Sequence, residues 1–343
     1  MKKLRIISMI VFLTVILVSI AAGSQQKISD EANITLRFGH ANQPTKDSVF
    51  HLVALKFKEL TEKYTDNKVK VEIYPAGQLG SEEEMVRSLQ LGTMDFTLVS
   101  MTNFNPFAET LNFFTLPYMF ETTEKGRKIL DDRWGQINEY AISQGGCRIL
   151  TITDAGFRHI SNSKQAIQSL VDLKKVKIRV PNNKVLISMF KSWDVDPIPM
   201  AWSETFSALQ QKVVDGQENP INVLVAQKFY EVQKYVTLSG HIWQTGTLLI
   251  SAKIFDGLPE SFQNSITKAG METMQWEREY ISKSIEADKK TVQEKGMIIH
   301  ELKDKQEWIN RARTTWNQFY KSIGNGDAEK GKAIVEKIQS VVQ

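Results

Sequence analysis

The sequence contains only one cysteine, Cys147, in 343 residues. A single thiol cannot form an internal disulfide bond, so packed cores rather than covalent cross-links must stabilise the fold. A lone cysteine is also only weak evidence for a catalytic thiol. The composition is otherwise that of a globular protein, 42% hydrophobic and 24% charged, and the chain is long enough for two lobes with separate cores.

Histidine is scarce as well, and its spacing excludes the common metal motifs. The five histidines (His40, His51, His159, His241 and His300) show no HxxxH or HExxH pattern, and the GxSxG and phosphate-loop motifs are absent from the sequence. We therefore predict no metal and no cofactor. An enzyme is disfavoured, because catalysis needs a nucleophile with its base or a metal centre.

A strong excess of one charge is missing too. Lysine and arginine number 43 against 39 aspartates and glutamates, and three of the basic residues lie in the first five positions, ahead of an apolar run over residues 6–22. This pattern is typical of a secretory signal peptide over residues 1–23, cleaved near Ala22 or Gly23; an uncleaved membrane anchor is the alternative. Without those three residues the balance is 40 against 39. We expect an exported protein without stable membrane insertion, and no nucleic-acid partner.

Strand and helix patterns alternate along the first part of the chain. Strands are predicted for ITLRFGH, KVKVEIYP and MDFTLVS, at residues 34–40, 68–75 and 94–100. Apolar residues recur every three or four positions over residues 47–64, which predicts a helix. Ser81 and Glu84 have capping-box spacing at the start of a second helix that ends at Gly92. The alternation predicts a parallel, right-handed α/β lobe.

A second α/β lobe is predicted from the rest of the chain. Further strands are expected for RILTITD and KVKIRVP, followed by a helix near residues 184–191. In WSETFSALQQKVVDGQENP (residues 202–220) we expect Ser203 to cap a helix and Gly216 to end it. A helical pattern without proline or glycine over residues 271–295 predicts a helix long enough to bridge two lobes, and a last helix is expected over residues 308–323.

Several motifs together resemble one protein family. VKIRVP, PMAWSETFSALQ, VVDGQENP and QKFYEVQKY occur in that order, after YPAGQLG and LPYMF. This set resembles the solute-binding proteins of TRAP (tripartite ATP-independent periplasmic) transporters of the DctP type, over essentially the whole chain after the signal segment. The resemblance implies a two-lobed, periplasmic-binding-protein-like α/β fold. We divide it into lobe I (residues 33–155 and 245–284) and lobe II (residues 156–244 and 285–343).

The resemblance also implies a function. Such a protein lies in the periplasm, closes on an organic acid and delivers it to the membrane permease subunits of the transporter. A sensory accessory protein, which closes on a ligand and contacts a receptor instead, is an alternative.

Arg179 and Asn219 are the leading candidates for the ligand site. Arg179 lies at a predicted strand end, where its guanidinium can present a planar pair of donors to a carboxylate. The resemblance implies that this arginine anchors the ligand carboxylate and that Asn219, in the QENP motif, contacts the same group. Asn-Pro also marks turns, so both interpretations of Asn219 stand. The roles of Gln217 and Glu218 stay open.

Further site residues follow from the resemblance. Arg158 matches a second arginine that reaches the ligand, and Trp202 matches an aromatic wall of the pocket, although a core tryptophan would explain it equally well. Asn182, His241 and Glu82 match polar positions near the ligand in some members, and for His241 a structural role is an equal alternative.

The first lobe indicates the class of ligand. Its candidate residues are polar and carry little positive charge: His40, Asn42, Glu82, Ser100 and Asn103. Sialic acid is disfavoured, because Ala41 and Ser100 stand where the sialic-acid branch has Asn and Glu. A second ligand carboxylate would need a cation there. We therefore favour a sugar acid or other hydroxylated monocarboxylate, with a C4-dicarboxylate served by Lys46 and a protonated His40 as the alternative.

Overall fold

The computed structural model describes residues 29–342. The predicted signal segment and its cleavage site lie outside these residues. In the described part of the chain, no helix is both long enough and apolar enough to cross a membrane. Cys147 is buried with a free thiol, and burial raises the pKa of that thiol to about 12.

Strands and helices alternate through the described chain. The strands are β1 (Ile34–His40), β2 (Val69–Tyr74), β3 (Phe96–Ser100), β4 (Cys147–Phe157), β5 (His159–Asn162), β6 (Arg179–Val180), β7 (Ile198–Pro199), β8 (Gly216–Asn219), β9 (Tyr235–Thr237), β10 (Trp243–Ser251) and β11 (Ile298–His300). The helices are α1 (Val49–Tyr64), α2 (Glu82–Leu91), α3 (Met101–Phe104), α4 (Thr123–Gly145), α5 (Leu170–Leu173), α6 (Lys184–Ser192), α7 (Trp202–Gln210), α8 (Ile221–Ala226), α9 (Ala252–Gly257), α10 (Glu260–Glu294), α11 (Lys305–Arg313), α12 (Tyr320–Ile323) and α13 (Ala328–Val342). Short 3-10 turns cover Asn105–Phe107, Glu109–Thr115, Phe229–Glu231 and Trp316–Phe319.

The first sheet has the order β2-β1-β3-β10-β4. β1 runs parallel to β2 and β3, as the alternation of strands and helices predicts, and β10 is antiparallel to β3 and β4. The capping box of α2 is present, with Glu84 donating its backbone N–H to Ser81 and accepting from the Ser81 backbone in return. Gly92 ends this helix with a positive φ of 72°, a conformation that glycine adopts without strain.

The second sheet has the order β11-β9-β5-β8. Its strands have only three or four residues each. KVKIRVP forms only the two-residue strand β6, which pairs with β7 in a separate two-stranded sheet. An isolated bridge from Ile178 to Gly216 connects this segment to the second sheet. The chain crosses between the sheets three times: before β5, before β10 and, along α10, before β11. Where the first two crossings meet, the backbone N–H of Arg158 donates to the Ile242 carbonyl at 2.8 Å.

The long helix is present and touches both lobes. α10 has 35 residues, about 50 Å at the usual rise, and it packs against α1, β4 and α8. The helical pattern over residues 271–295 predicts a helix that bridges the two lobes, and α10 confirms this prediction.

Two local predictions for residues 202–220 are wrong. α7 begins at Trp202 after Ala201, without a side-chain cap from Ser203. Gly216 does not end this helix: α7 stops at Gln210, the chain reverses through Lys212 with φ of 60°, and Gly216 is the first residue of β8. The motif GQEN is therefore a fully buried strand rather than a turn.

The C-terminal segment packs differently from our division into lobes. The last predicted helix is broken into α11, a 3-10 turn and α12. Apolar residues of the segment after α11 share one core with Ile137 and Ala141 of α4: they are Trp316, Phe319, Ile323, Val335, Ile338 and Val342. This segment therefore belongs with the helices of the first sheet, because its apolar face is buried there. The other boundaries stay predictions.

Candidate functional site

A cavity lies between the two sheets and is lined from both sides. About 610 Å³ of space free of protein atoms lies in and around it, the open solvent at its mouth included. Eight of the eleven residues singled out from the sequence line it: Asn42, Glu82, Ser100, Asn103, Arg158, Arg179, Trp202 and Asn219. Elements far apart in the chain thus bring these side chains to one place, and their role in binding stays a prediction.

Arg179 is a buried cation in this cavity. The residue is 2% exposed, and its Nε and Nη2 donate to the Met200 carbonyl at 3.1 and 2.6 Å. Its guanidinium carbon lies 5.8 Å from the Trp202 ring centroid. Burial lowers the pKa of Arg179 to about 10, so it stays charged at neutral pH. Within residues 29–342 no carboxylate forms an ion pair with Arg179. A buried charge without a counter-ion destabilises the folded protein, and binding of an anion would remove that cost.

Arg158, by contrast, is already paired. Its Nε and Nη2 bond the Glu218 carboxylate, and Nη2 also donates to the Glu218 carbonyl at 2.6 Å. Burial alone would raise the pKa of Glu218, but the charge of Arg158 and a hydrogen bond with His241 lower that pKa to about 2. Arg158 therefore brings donors to the cavity with little net charge.

The buried strand β8 explains the remaining residues of the QENP motif. Glu218 neutralises Arg158, as described above. Gln217 donates through Nε2 to Ser161 Oγ at 2.7 Å, and its Oε1 accepts from Asn219 Nδ2 at 2.5 Å. Gln217 thus orients the Asn219 amide, and the roles left open by the sequence are supporting ones.

The first-lobe side of the cavity is a hydrogen-bonded polar cluster. Glu82 accepts from the Ser100 backbone N–H at 3.3 Å and from Asn103 Nδ2. Burial raises the pKa of Glu82. Gln244 links the lobes: its Nε2 donates to Ser100 Oγ at 2.9 Å, and its Oε1 accepts from Arg158 Nη1.

Comparison with known proteins decides the family. The model of the DctP family, described as bacterial extracellular solute-binding protein, family 7, matches residues 38–323. The chain belongs to the DctP family. Its fold is the two-lobed α/β fold of TRAP periplasmic solute-binding proteins, and members of this family are substrate-binding transport proteins.

Individual relatives of this DctP-family chain have named ligands. The 2,3-diketo-L-gulonate-binding periplasmic protein YiaO of Escherichia coli (strain K12) is 29% identical over 280 residues, 82% of this chain and 83% of the relative. The C4-dicarboxylate-binding periplasmic protein DctP of Rhodobacter capsulatus is 30% identical over 299 residues, 87% of either chain. The crystal structure of a TRAP periplasmic solute-binding protein from Polaromonas sp. JS666, bound to D-erythronate, is 31% identical with a TM-score of 0.82, covering 90% of this chain and 99% of that one.

Three predicted residues do not line the cavity of this DctP-family protein. His40 is fully buried and pairs through Nε2 with His51 Nδ1 at 3.2 Å; burial and the neighbouring His51 lower the pKa of His40 to about 4. His241 bonds Glu218 at 3.0 Å and Ser239 at 2.8 Å, so it supports the Arg158 pair from behind. Asn182 lines a neighbouring cavity that shares Arg179 with the first.

Several lining residues were missed by the sequence analysis. They are Val49, Phe50, Thr102, Ala155, Pro181, Asn222, Val223, Ala226 and Gln244. Asn222 could have been found from the sequence, because this polar residue lies two positions after the QENP motif. Its Oδ1 is buried and has no hydrogen-bond partner among residues 29–342. The apolar residues had none, since their pattern also fits a core. In the described part of the chain, no cluster of His, Cys, Asp and Glu has the geometry to hold a metal ion.

Proposed function

We propose that this protein captures a hydroxylated monocarboxylate between its lobes and delivers it to the permease subunits of a TRAP transporter. The observation that carries the proposal is Arg179, a guanidinium buried in the interlobe cavity with no carboxylate partner in residues 29–342. An organic acid supplies that partner, and the fork of the guanidinium fixes its orientation.

The charges around the cavity favour one carboxylate rather than two. Arg158 is neutralised by Glu218, which leaves Arg179 as the cation available to the ligand. Neither Lys46 nor His40 lines the cavity, and the low pKa of His40 keeps it neutral at neutral pH. A second buried carboxylate would lack a counter-charge, and that is costly. Hydroxyls suit the polar groups of Glu82 and Asn103 better.

Lobe closure couples the ligand to delivery. Asn183, the N-cap residue of α6, donates through Nδ2 to the Thr102 carbonyl of α3 at 2.7 Å, and its Oδ1 caps α6. This hydrogen bond joins the two lobes. A ligand held by both lobes shifts the open–closed equilibrium toward the closed state, and the closed protein then docks on the permease.

Relatives support the ligand class. The Polaromonas protein binds D-erythronate, and a TRAP protein from Roseobacter denitrificans OCh 114, 28% identical with a TM-score of 0.80, has bound L-galactonate. The C4-dicarboxylate-binding relative makes a dicarboxylate the second candidate. We further propose that the protein is exported by its N-terminal segment and releases its ligand chemically unchanged.

Isothermal titration calorimetry tests the ligand class directly. We expect heat of binding with D-erythronate or L-galactonate, weaker binding of succinate, and none with glucose. Tighter binding of succinate than of every hydroxylated monocarboxylate would assign the second candidate instead. Capture of the protein by its permease, only when ligand is present, tests delivery; capture by a receptor instead would favour a sensory role.

A further inference from the structure

Several polar side chains of the cavity bond one another. Glu82 accepts from Ser100 and Asn103, and Gln244 bonds both Ser100 and Arg158. Each hydrogen bond made inside the cavity is one fewer for the ligand. Glu82, Ser100 and Gln244 therefore have few hydrogen bonds left for the hydroxyls of a six-carbon sugar acid.

An apolar wall forms another part of the lining. It consists of Val49 and Phe50 of α1, Ala155 of β4, and Val223 and Ala226 of α8. Four of the five are less than one-tenth exposed, Val223 being the exception. Val223 and Ala226 are three residues apart on one helix, so they share a face. Both lobes contribute to this wall.

The ring of Phe50 lies against the first sheet beside the cavity. A Cβ added to Gly246 would lie 2.6 Å from the ring of Phe50 and 2.6 Å from Oγ1 of Thr153. The ring therefore packs against the face of the sheet that carries Thr153, and Phe50 and Ala155 both line the cavity. A hydroxyl placed against this surface loses its hydrogen bonds to water without replacement, which costs free energy.

We propose that the physiological ligand is a short hydroxy acid whose chain beyond the hydroxylated carbons carries alkyl substituents. This inference rests on the proposed function and names a narrower ligand class within it. The carboxylate meets Arg179, one hydroxyl donates to the unpaired Oδ1 of Asn222, and the alkyl groups pack against the apolar wall. Polyhydroxylated six-carbon acids are then the poorer ligands.

A matched series of three acids tests the proposal by calorimetry. The series is D-erythronate (2,3,4-trihydroxybutanoate), 2,3-dihydroxybutanoate of the same configuration, and 2,3-dihydroxy-3-methylbutanoate. The first step removes the terminal hydroxyl and the second adds a methyl group. Each step gives the ligand one more methyl group to bury against the apolar wall, and burying one methyl group raises the affinity about fourfold. We therefore expect each acid to bind at least about fourfold more tightly than the one before.

Two variants place a hydroxyl on the apolar wall. Val223→Thr replaces a methyl by a hydroxyl of the same size, and we expect it to weaken 2,3-dihydroxy-3-methylbutanoate by about fourfold or more and to weaken D-erythronate less. Ala226→Ser, which adds a hydroxyl, is the second variant, in case the first lowers the melting temperature. Val171→Thr is the control, because Val171 is 63% exposed and lies outside the cavity; it should change no affinity.

The outcomes separate this inference from the proposed function. If D-erythronate binds as tightly as the two alkyl acids, the apolar wall does not select the ligand and the inference is overturned. It is also overturned if neither Val223→Thr nor Ala226→Ser weakens 2,3-dihydroxy-3-methylbutanoate. In either case a weakening of about 10- to 150-fold in Arg179→Ala still supports the proposed function. If none of the three acids and no other hydroxylated monocarboxylate binds, the proposed function itself fails.

Discussion

Removing the guanidinium of Arg179 should cost the protein most of its ligand affinity. The residue has five N–H donors, and two of them serve the Met200 carbonyl, so three remain for a ligand carboxylate. A hydrogen bond to a charged group contributes about 1.5 to 3 kcal/mol. Counting only one such bond, Arg179→Ala should weaken binding by about 10- to 150-fold. Arg179→Lys keeps the charge but not the fork, and it should retain only part of the affinity.

Calorimetric titration with the tightest acid of the panel measures this loss. Arg311→Ala is the matched control, since Arg311 pairs with Asp194 on the surface and its removal should leave the dissociation constant unchanged. Melting temperatures of both variants show whether the Met200 carbonyl, once deprived of its donors, loosens the fold. Affinity of Arg179→Ala within about threefold of the parent would refute the assignment of this residue to the ligand carboxylate.

Three further predictions concern closure and pH. Asn183→Asp keeps the cap of α6 but cannot donate to Thr102, so calorimetry should show ligand affinity falling about fivefold, the value of one neutral hydrogen bond; unchanged affinity would show that this contact does not favour closure. The folded protein keeps His40 neutral down to a pKa of about 4, whereas the unfolded chain binds a proton below about 6.5; stability is therefore lost as pH falls from 6.5 toward 4, and His40→Gln should flatten the melting temperature over that range. Burial and the nearby Asp154 raise the pKa of Glu277, so the stability that its neutral form contributes is lost as pH rises. Glu277→Gln should therefore melt at a higher temperature than the parent at pH 8, as measured by calorimetry. An equal melting temperature would contradict a neutral Glu277.

The first lobe was readable from the sequence because its signals are local. The alternation of Val69 and Val71 with charged residues predicts β2, and Ser81 with Glu84 fixes the start of α2. The second lobe was harder. Its strands have two to four residues, too few for a period to show, and β8 is built from polar residues whose burial depends on partners distant in sequence, as Glu218 shows with Arg158.

The candidate site was predicted unevenly for a similar reason. Motif residues such as Arg179 and Asn219 line the cavity, but a motif does not tell which polar side chains face the ligand and which support those that do. His241 does not line the cavity; it bonds Glu218, which in turn pairs with the lining residue Arg158. The apolar residues that complete the lining, such as Phe50, carry a core-like pattern and become visible only when the lobes are in place.

The position of the last strand and helix in the first lobe has a consequence for how the chain folds. β10 lies between β3 and β4 in the first sheet, and α13 packs on α4. A nascent or partly translocated chain that ends before β10 therefore lacks the strand that joins β3 to β4, and both of those edges stay unpaired. The first lobe can complete its sheet and its core only after residues 243–251 and 328–342 have been added.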